Sequence, residues 1–418
     1  MHSWWGGMLD RTLAVIGGGP AGLAAAEAAA REGIRVTLFD AKRSVGRKFL
    51  VAGKSGLNLT HGEPLVRFIT RYQGTCEPSV PWADLLAETS PADVRTWALE
   101  LGIETFQART GRVYPAAMKA APLLRRWIDR LRSLGVRMEM NHAWRSIEGG
   151  PPWRLEFGNG TRVEVDAAVF AMGGGSWPQT GSDGSWLKSF EALGVPCHAL
   201  KPANCGWETS WPKSVLTAAE GLPIKNIEVS AAGQRVAGEL LITRYGLEGG
   251  AIYQLGHALR GMAEPELCID FKPTFSAEEL IGKLGRQFGN PLPAAIRAWR
   301  LSPAAAALLA TEDCKNAESL VGAAKAYSVP LSGPRPIAEA ISSAGGLCWS
   351  ALDPTLMIRA MPGCFVAGEM IDWEAPTGGY LLQGCFATGR HAGCRAAEWL
   401  KTRSYEPESE SIPPVVCM

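Results

Sequence analysis

The chain has 418 residues, 46% of them hydrophobic and 20% charged, with 42 Lys and Arg against 41 Asp and Glu. That length exceeds one ordinary core and calls for two or three domains. A formal net charge of +1 argues against the global field carried by nucleic-acid or membrane-surface proteins.

In chain order, residues before Leu13 read as a short leader, with Met8 a candidate start. Thr12 to Ile16 is an apolar strand, Gly17 to Gly19 a turn, and Pro20 to Glu32 an Ala-rich helix ended by Gly33. Ile34 to Phe39 is a second apolar strand that ends at Asp40. The strands are near-continuously apolar, as a buried parallel sheet requires, so this is a βαβ unit. The apolar run Leu13 to Ala30 is interrupted by Gly17-Gly18-Gly19-Pro20 and Glu27, which suits neither a signal peptide nor a membrane span. Residues 41–62 read as a Gly- and Lys-rich loop, and 81–137 as helical around Gly111 to Pro115. Val163 to Met172 reads as one strand running into Gly173-Gly174-Gly175. Over 196–250, turn residues separate stretches such as Ile227–Ala231 and Glu239–Thr243, a pattern of antiparallel strands. Residues 277–327 read as helical. After Pro334-Arg335-Pro336 come a strand at Phe365–Ala367 and a helix at Tyr380–Lys401. The tail after Ser404 carries Glu406, Glu408 and Glu410 and is expected to be disordered.

These elements predict an α/β protein. A discontinuous Rossmann-type domain spans 12–195 and 335–403. An inserted β-rich, substrate-side domain spans 196–276 and 328–334, and a small helical subdomain spans 277–327, followed by the tail 404–418. The ten cysteines contain no Cys-x-x-Cys pair, and no His is spaced for a zinc site. They read as reduced thiols in a cytoplasmic protein with no metal.

Gly17-x-Gly19-x-x-Gly22 lies between strand and helix. Gly17 suits the tight turn, Gly19 the approach of a pyrophosphate, and Gly22 close helix–strand packing, with Pro20 and Ala21 opening the helix towards the phosphates. Asp40, followed by Ala41 and Lys42, stands where a carboxylate accepts from ribose hydroxyls. This glycine pattern leaves FAD and NAD open; the later segments favour FAD. Ala171-Met172-Gly173-Gly174 follows a strand and suits a turn laid against the dinucleotide. Gly368-Glu369 resembles the later flavoprotein turn whose acidic residue meets the ribityl and pyrophosphate region. Gly378-Gly379-Tyr380 opens a long helix whose N-terminal dipole favours an anionic ring.

Longer motifs carry a family resemblance. Gly46-Arg47-Lys48-Phe49-Leu50, the segment Gly53 to Thr60 ending Asn58-Leu59-Thr60, Gly174 to Ser182, and Gly368-Glu369 through Pro376-Thr377-Gly378-Gly379-Tyr380-Leu381-Leu382-Gln383 resemble the HI0933-like flavoproteins. These belong to the wider glutathione-reductase-like FAD superfamily, and the likeness covers about 12–400. Ala203-Asn204-Cys205-Gly206 and Gly246-Leu247-Glu248-Gly249-Gly250 place it nearest a poorly characterised bacterial branch. The resemblance implies non-covalent FAD and adds Arg47, Lys48, Gly53, Asn58, Leu59, Thr60, Leu382 and Gln383 to the cofactor candidates. It also implies reduction of an activated C=C bond by reduced flavin, in a family linked to dihydrouridine formation in ribosomal RNA and to a bile-acid enone-type reduction. Gly56 and Leu57 stand where larger-branch relatives commonly carry Arg and Cys, which puts a shared substrate in doubt.

Tyr380, beside the expected flavin loop, is the candidate catalytic residue. His61, His257, His391 and Cys205 are possible proton donors whose commoner reading is structural. The run Arg109, Arg112, Lys119, Arg125, Arg126, Arg130, Arg132 and Arg137 reads as a solvated helix face, with an RNA patch as its rival. No second glycine fingerprint is apparent, so NAD(P)H is expected only as a transient donor. A small-molecule or RNA substrate and a flavin-binding protein with little turnover all stay open, as does the oligomeric state.

Overall fold

The computed structural model describes residues 11–53, 56–285 and 289–402. Most of the expected leader and the whole tail 404–418 lie outside the described residues.

The first unit is built on a five-stranded parallel sheet. Thr12–Ile16 (β1) lies between Arg35–Asp40 (β2) and Ala167–Phe170, with Arg137–Met140 beyond β2 and Cys364–Val366 beyond Ala167–Phe170. Leu13 to Ile16 are almost wholly buried, which is why the sequence shows an unbroken apolar run there. Pro20–Arg31 (α1) crosses from β1 to β2. The last helix, Tyr380–Thr402, lies along α1 at backbone contact: a Cβ on Gly389 or Gly393 would stand 2.3 Å from the carbonyl oxygen of Ala21 or Ala25.

Two local differences from the sequence reading have physical causes. The run 163–172 is two strands, Arg162–Val165 in a three-stranded meander and Ala167–Phe170 in the parallel sheet. Asp166 divides them, its carboxylate accepting from the Thr12 amide at 2.7 Å and the Thr12 hydroxyl at 3.1 Å. The loop 41–62 contains a helix at Arg47–Ala52, too short to show a hydrophobic period.

The second unit is a seven-stranded antiparallel sheet centred on the hairpin Pro223–Ala231/Gln234–Thr243. Helix Gly250–Arg260 packs on it, as do four short helices between Ala277 and Lys325. Leu280, Leu308 and Leu320 from those helices share one buried cluster with Val229, Ile242 and Ile269 from the strands. A separate buried cluster draws on residues 13–195 and 347–400. The antiparallel ribbon Cys197–Ala203/Ser342–Leu347 carries both chain crossings between the units.

Candidate cofactor-binding site

The cleft lies at the C-terminal ends of the parallel strands, where open α/β sheets bind ligands. Gly17 has φ 107°, and a Cβ there would meet the Ala171 carbonyl oxygen at 2.3 Å. A Cβ on Gly22 would stand 1.9 Å from the Gly17 carbonyl oxygen, so α1 sits directly on the turn. Gly19 is different: it lines the cleft and nothing lies within 4 Å of where its Cβ would be. No side chain caps α1, so its first N–H groups are free to meet an anion. This cradle of open space and free donors fits a pyrophosphate.

Asp40 holds the turn from the side. Its carboxylate accepts from the Gly18 amide at 2.8 Å and from the Lys42 amide at 2.7 Å. Burial pushes its carboxyl above the ordinary value, against the pull of those two N–H groups. Both oxygens keep a lone pair for a ribose hydroxyl.

The opposite wall comes from distant parts of the chain. The Lys48 ammonium lies 2.8 Å from the Glu369 carboxylate and 2.7 Å from the Ser176 hydroxyl. Neither Lys48 nor Glu369 is fully exposed, at 23% and 11% of the side chain. The turn Gly173-Gly174 is pinned by Trp186, whose indole N–H donates to the Gly173 carbonyl at 2.8 Å, and by Ser182, whose hydroxyl donates to the Gly174 carbonyl at 2.9 Å.

Gly17, Gly19, Pro20, Ala21, Asp40, Ala41, Arg47, Lys48, Ala171, Met172, Gly173, Gly368 and Glu369 thus converge on one cleft. Gly22, Lys42 and Gly174 do not line it. Sequence reasoning missed His142, Trp144 and Trp186, which also line it. His142 is reachable because its amide donates to the Asp40 carbonyl at 2.8 Å, a link with no sequence signature. The Thr180-Gly181-Ser182 lining does have a signal, since it falls in the family-like segment 174–182.

The other candidates gather in a neighbouring layer. Gly53 packs against Ala120, and Leu59 and Thr60 are fully buried. Gly379 has φ 103°, and a Cβ there would strike the Thr60 backbone at 2.4 Å, so the start of the last helix rests on the Asn58-Leu59-Thr60 segment with Gly378 and Leu382 beside it. The Thr60 hydroxyl donates to the Gln383 carboxamide at 2.7 Å, and the Gln383 amide donates to the Thr89 carbonyl at 2.6 Å. Among the described residues the buried Asn58 side-chain oxygen has no hydrogen-bond partner, an orphan acceptor of the kind a ligand N–H satisfies.

Tyr380 is 5% exposed and its hydroxyl donates to Glu63 at 2.6 Å. Arg71 grips the same carboxylate at 2.9 and 2.8 Å, and His61 stacks on the Tyr380 ring at 5.2 Å. Burial, then Glu63, push the phenol above its ordinary pKa; the Arg71 hydrogen bond holds Glu63 below its own. His257 bonds Glu374, His391 bonds Glu88, and His61 meets the Thr110 carbonyl. Cys205 is 4% exposed, and burial pushes its thiol up to about 11. None of the basic run 109–137 lines the cleft; Arg130 instead pairs with Glu27 and Glu100. Among the described residues there is no metal-ligating group of three or more side chains, and no helix is long and apolar enough to cross a membrane.

Residues 11–395 match the family described as HI0933-like protein Rossmann domain. The chain is 26% identical over 412 residues to the 3-dehydro-bile acid delta(4,6)-reductase of Clostridium scindens, covering 92% of this chain and 99% of that protein. It is 22% identical over 388 residues to the ribosomal RNA dihydrouridine synthase of Escherichia coli, covering 88% and 94%. Among solved structures it is similar to the 3-ketosteroid-delta4-(5alpha)-dehydrogenase of Rhodococcus jostii RHA1, at 16% identity, TM-score 0.49 and coverage of 94% and 98%. The family match spans both halves of the cleft, from the glycine turn to the last helix, and the chain belongs to the HI0933-like Rossmann family, with its FAD-binding fold.

Proposed function

We propose that the protein is an FAD-dependent oxidoreductase that reduces an activated C=C bond. The observation that carries the FAD reading is the single cleft in which the uncapped start of α1 faces the Lys48–Glu369 pair. The reaction class rests on the relatives, a delta(4,6)-reductase and a dihydrouridine synthase, whose names denote saturation of such a bond.

When bound, FAD supplies the two-electron chemistry. The chain supplies the frame. The first N–H groups of α1 hold the pyrophosphate, and Asp40 takes a ribose hydroxyl. Lys48 and Glu369 offer a cation and an acceptor to the middle of the cofactor, and the Gly173-Gly174 turn forms the wall. Gly53, Asn58, Leu59, Thr60, Gly378, Gly379, Leu382 and Gln383 shape the flavin end. Tyr380 enters as a positioning residue in this reading, because its hydroxyl is engaged by Glu63 and fixes the start of the last helix. Binding is non-covalent, and NAD(P)H is the proposed transient donor. None of the basic run 109–137 lines the pyrophosphate cleft, whereas the Arg112 guanidinium lies 3.8 Å from where a Cβ on Gly378 would stand, at the proposed flavin end.

Anaerobic mixing of the purified holoprotein with NADPH or NADH tests this reading. Loss of flavin absorbance near about 450 nm, restored by adding an enone, is the expected result. Protein that carries no flavin and rebinds none overturns the cofactor assignment; flavin that stays oxidised with both donors overturns the NAD(P)H-driven reductase.

A further inference from the structure

A second concavity opens in the inserted unit and shares no residue with the cofactor cleft. Its floor is apolar, with Ile224, Ile227, Phe271, Leu301 and Ala305 all buried. Its rim is cationic, formed by Lys225, Lys272 and Arg300. Among the described residues, none of these three cations has a carboxylate within ion-pair distance. Asp270, two positions before Lys272, is already engaged: it holds Lys325 at 2.6 Å and accepts the Lys272 amide at 2.8 Å. The Lys272 ammonium meets the Arg300 carbonyl at 3.3 Å, which uses one of its three N–H donors. Burial lowers the pKa of Lys272, and no opposing charge restores it.

The backbone is shaped to present this rim. In the strand Pro223–Ala231 the register shifts between Ile224 and Ile227, so Lys225 and Asn226 bulge out, with Asn226 at φ 55°. On the other side Arg300 follows helix Leu292–Ala298 at φ 50°. Asn tolerates the left-handed region; Arg is not among the residues that favour it. At Arg300 this conformation closes the helix: the Leu301 amide donates to the Ile296 carbonyl at 3.1 Å and the Arg300 amide to the Arg297 carbonyl at 3.3 Å, which leaves Arg300 at the rim.

We propose that this pocket binds the phosphate group of an organophosphate. Three cations exceed what one carboxylate neutralises and suit a phosphate. The arginine fork spans two phosphate oxygens, and the two lysines act as point charges on the others. The Asn226 carboxamide adds a neutral donor. The site is a single pocket rather than a track of basic residues, which favours a free phosphorylated molecule over a nucleic-acid strand.

The test uses the FAD-loaded protein, in which the cofactor's own pyrophosphate position is filled. Calorimetric titration with inorganic pyrophosphate is expected to show saturable binding that weakens as salt rises. Lys272→Gln and Arg300→Gln are each expected to weaken it roughly tenfold. Lys188→Gln, at an exposed lysine outside the pocket, leaves it unchanged. Flavin absorbance and the urea midpoint report that each variant is folded. No saturable binding, wild-type affinity in both pocket variants, or equal weakening by the Lys188 control overturns the proposal. A short single-stranded RNA is the second arm. RNA binding lost in the same variants identifies a phosphodiester as the source of the phosphate and overturns the free-molecule assignment; RNA binding absent or indifferent to them excludes that source.

Discussion

Replacing Lys48 with Met leaves Glu369 facing the cofactor cleft without its cation, and it also removes the donor to Ser176 at 2.7 Å. A fully exposed pair would be worth about 0–1 kcal/mol, whereas stripping one partner from a fully buried pair costs about 3–5 kcal/mol. With side chains 23% and 11% exposed, this pair falls between those limits, so Lys48→Met is expected to cost about 2 kcal/mol in the FAD-free protein. Glu369→Gln should cost somewhat less, because a carboxamide still accepts from the ammonium. The double variant should cost little more than Lys48→Met alone, leaving a coupling energy of about 1–2 kcal/mol. Urea unfolding of the four proteins measures it. The same proteins titrated with FAD give a second reading: Lys48→Met should weaken FAD binding about tenfold or more, the loss of one charge-assisted contact. Coupling below about 0.3 kcal/mol, with both single effects additive, would show that the pair is not formed. FAD affinity untouched by either change would refute the placement of the cofactor in this cleft.

Gly22→Ala places a Cβ 1.9 Å from the Gly17 carbonyl oxygen and should cost about 3 kcal/mol, together with FAD binding. Gly282→Ala in helix Ala277–Leu284, with nothing within 4 Å, should instead stabilise by about 0.5–1 kcal/mol; equal thermal shifts in the two variants would contradict the packing account. Glu374 carries a lowered pKa: burial raises it, but His257 and Arg260 together outweigh burial. A depressed carboxylate contributes stability that is present above its unfolded value near 4.5 and is lost as pH falls through the lower folded value. The urea midpoints of wild type and Glu374→Gln should therefore differ at pH 6 and draw together as pH falls below 4.5 and through the lower folded value; a gap that persists once the carboxyl is protonated in both states rejects this assignment. In native protein at neutral pH, exposed Cys76 should react with a thiol reagent before buried Cys205, whose thiol is pushed up to about 11. Mass spectrometry of the first modified peptide decides between them.

The glycine turn, β1, α1, β2 and Asp40 were legible because everything that defines them lies within thirty residues and follows a period or a spacing. Each later glycine turn was legible from its own few residues, and their order along the chain carried the family resemblance. What joined them was not. Nothing local in Lys48 says that it will meet Glu369, 321 positions away, and nothing near His142 says that its amide will bond the end of β2. The single strand read over Val163 to Met172 runs through Asp166, yet the bonds of Asp166 to Thr12 make it the boundary between two sheets. Tyr380 was placed correctly at the start of a helix, but the direction of its hydroxyl depends on Glu63 and Arg71, which reach it through tertiary packing.

The close seating of the last helix on α1, with Gly389 and Gly393 against Ala21 and Ala25, bears on how the protein is made. The glycine turn leaves the ribosome early, but Glu369 and the helix that covers α1 come at the far end of the chain. At about 5–20 residues per second, the nascent turn waits roughly 20 to 70 s for its other half. The inserted unit, with its own buried cluster between Trp207 and Leu331, has all its strands available before then. The inserted unit can therefore condense before the flanking halves close around it, and the FAD cleft is complete only once Glu369 and the last helix have been made. A chain arrested before residue 380 should present a folded insertion on a first half that cannot yet hold its cofactor.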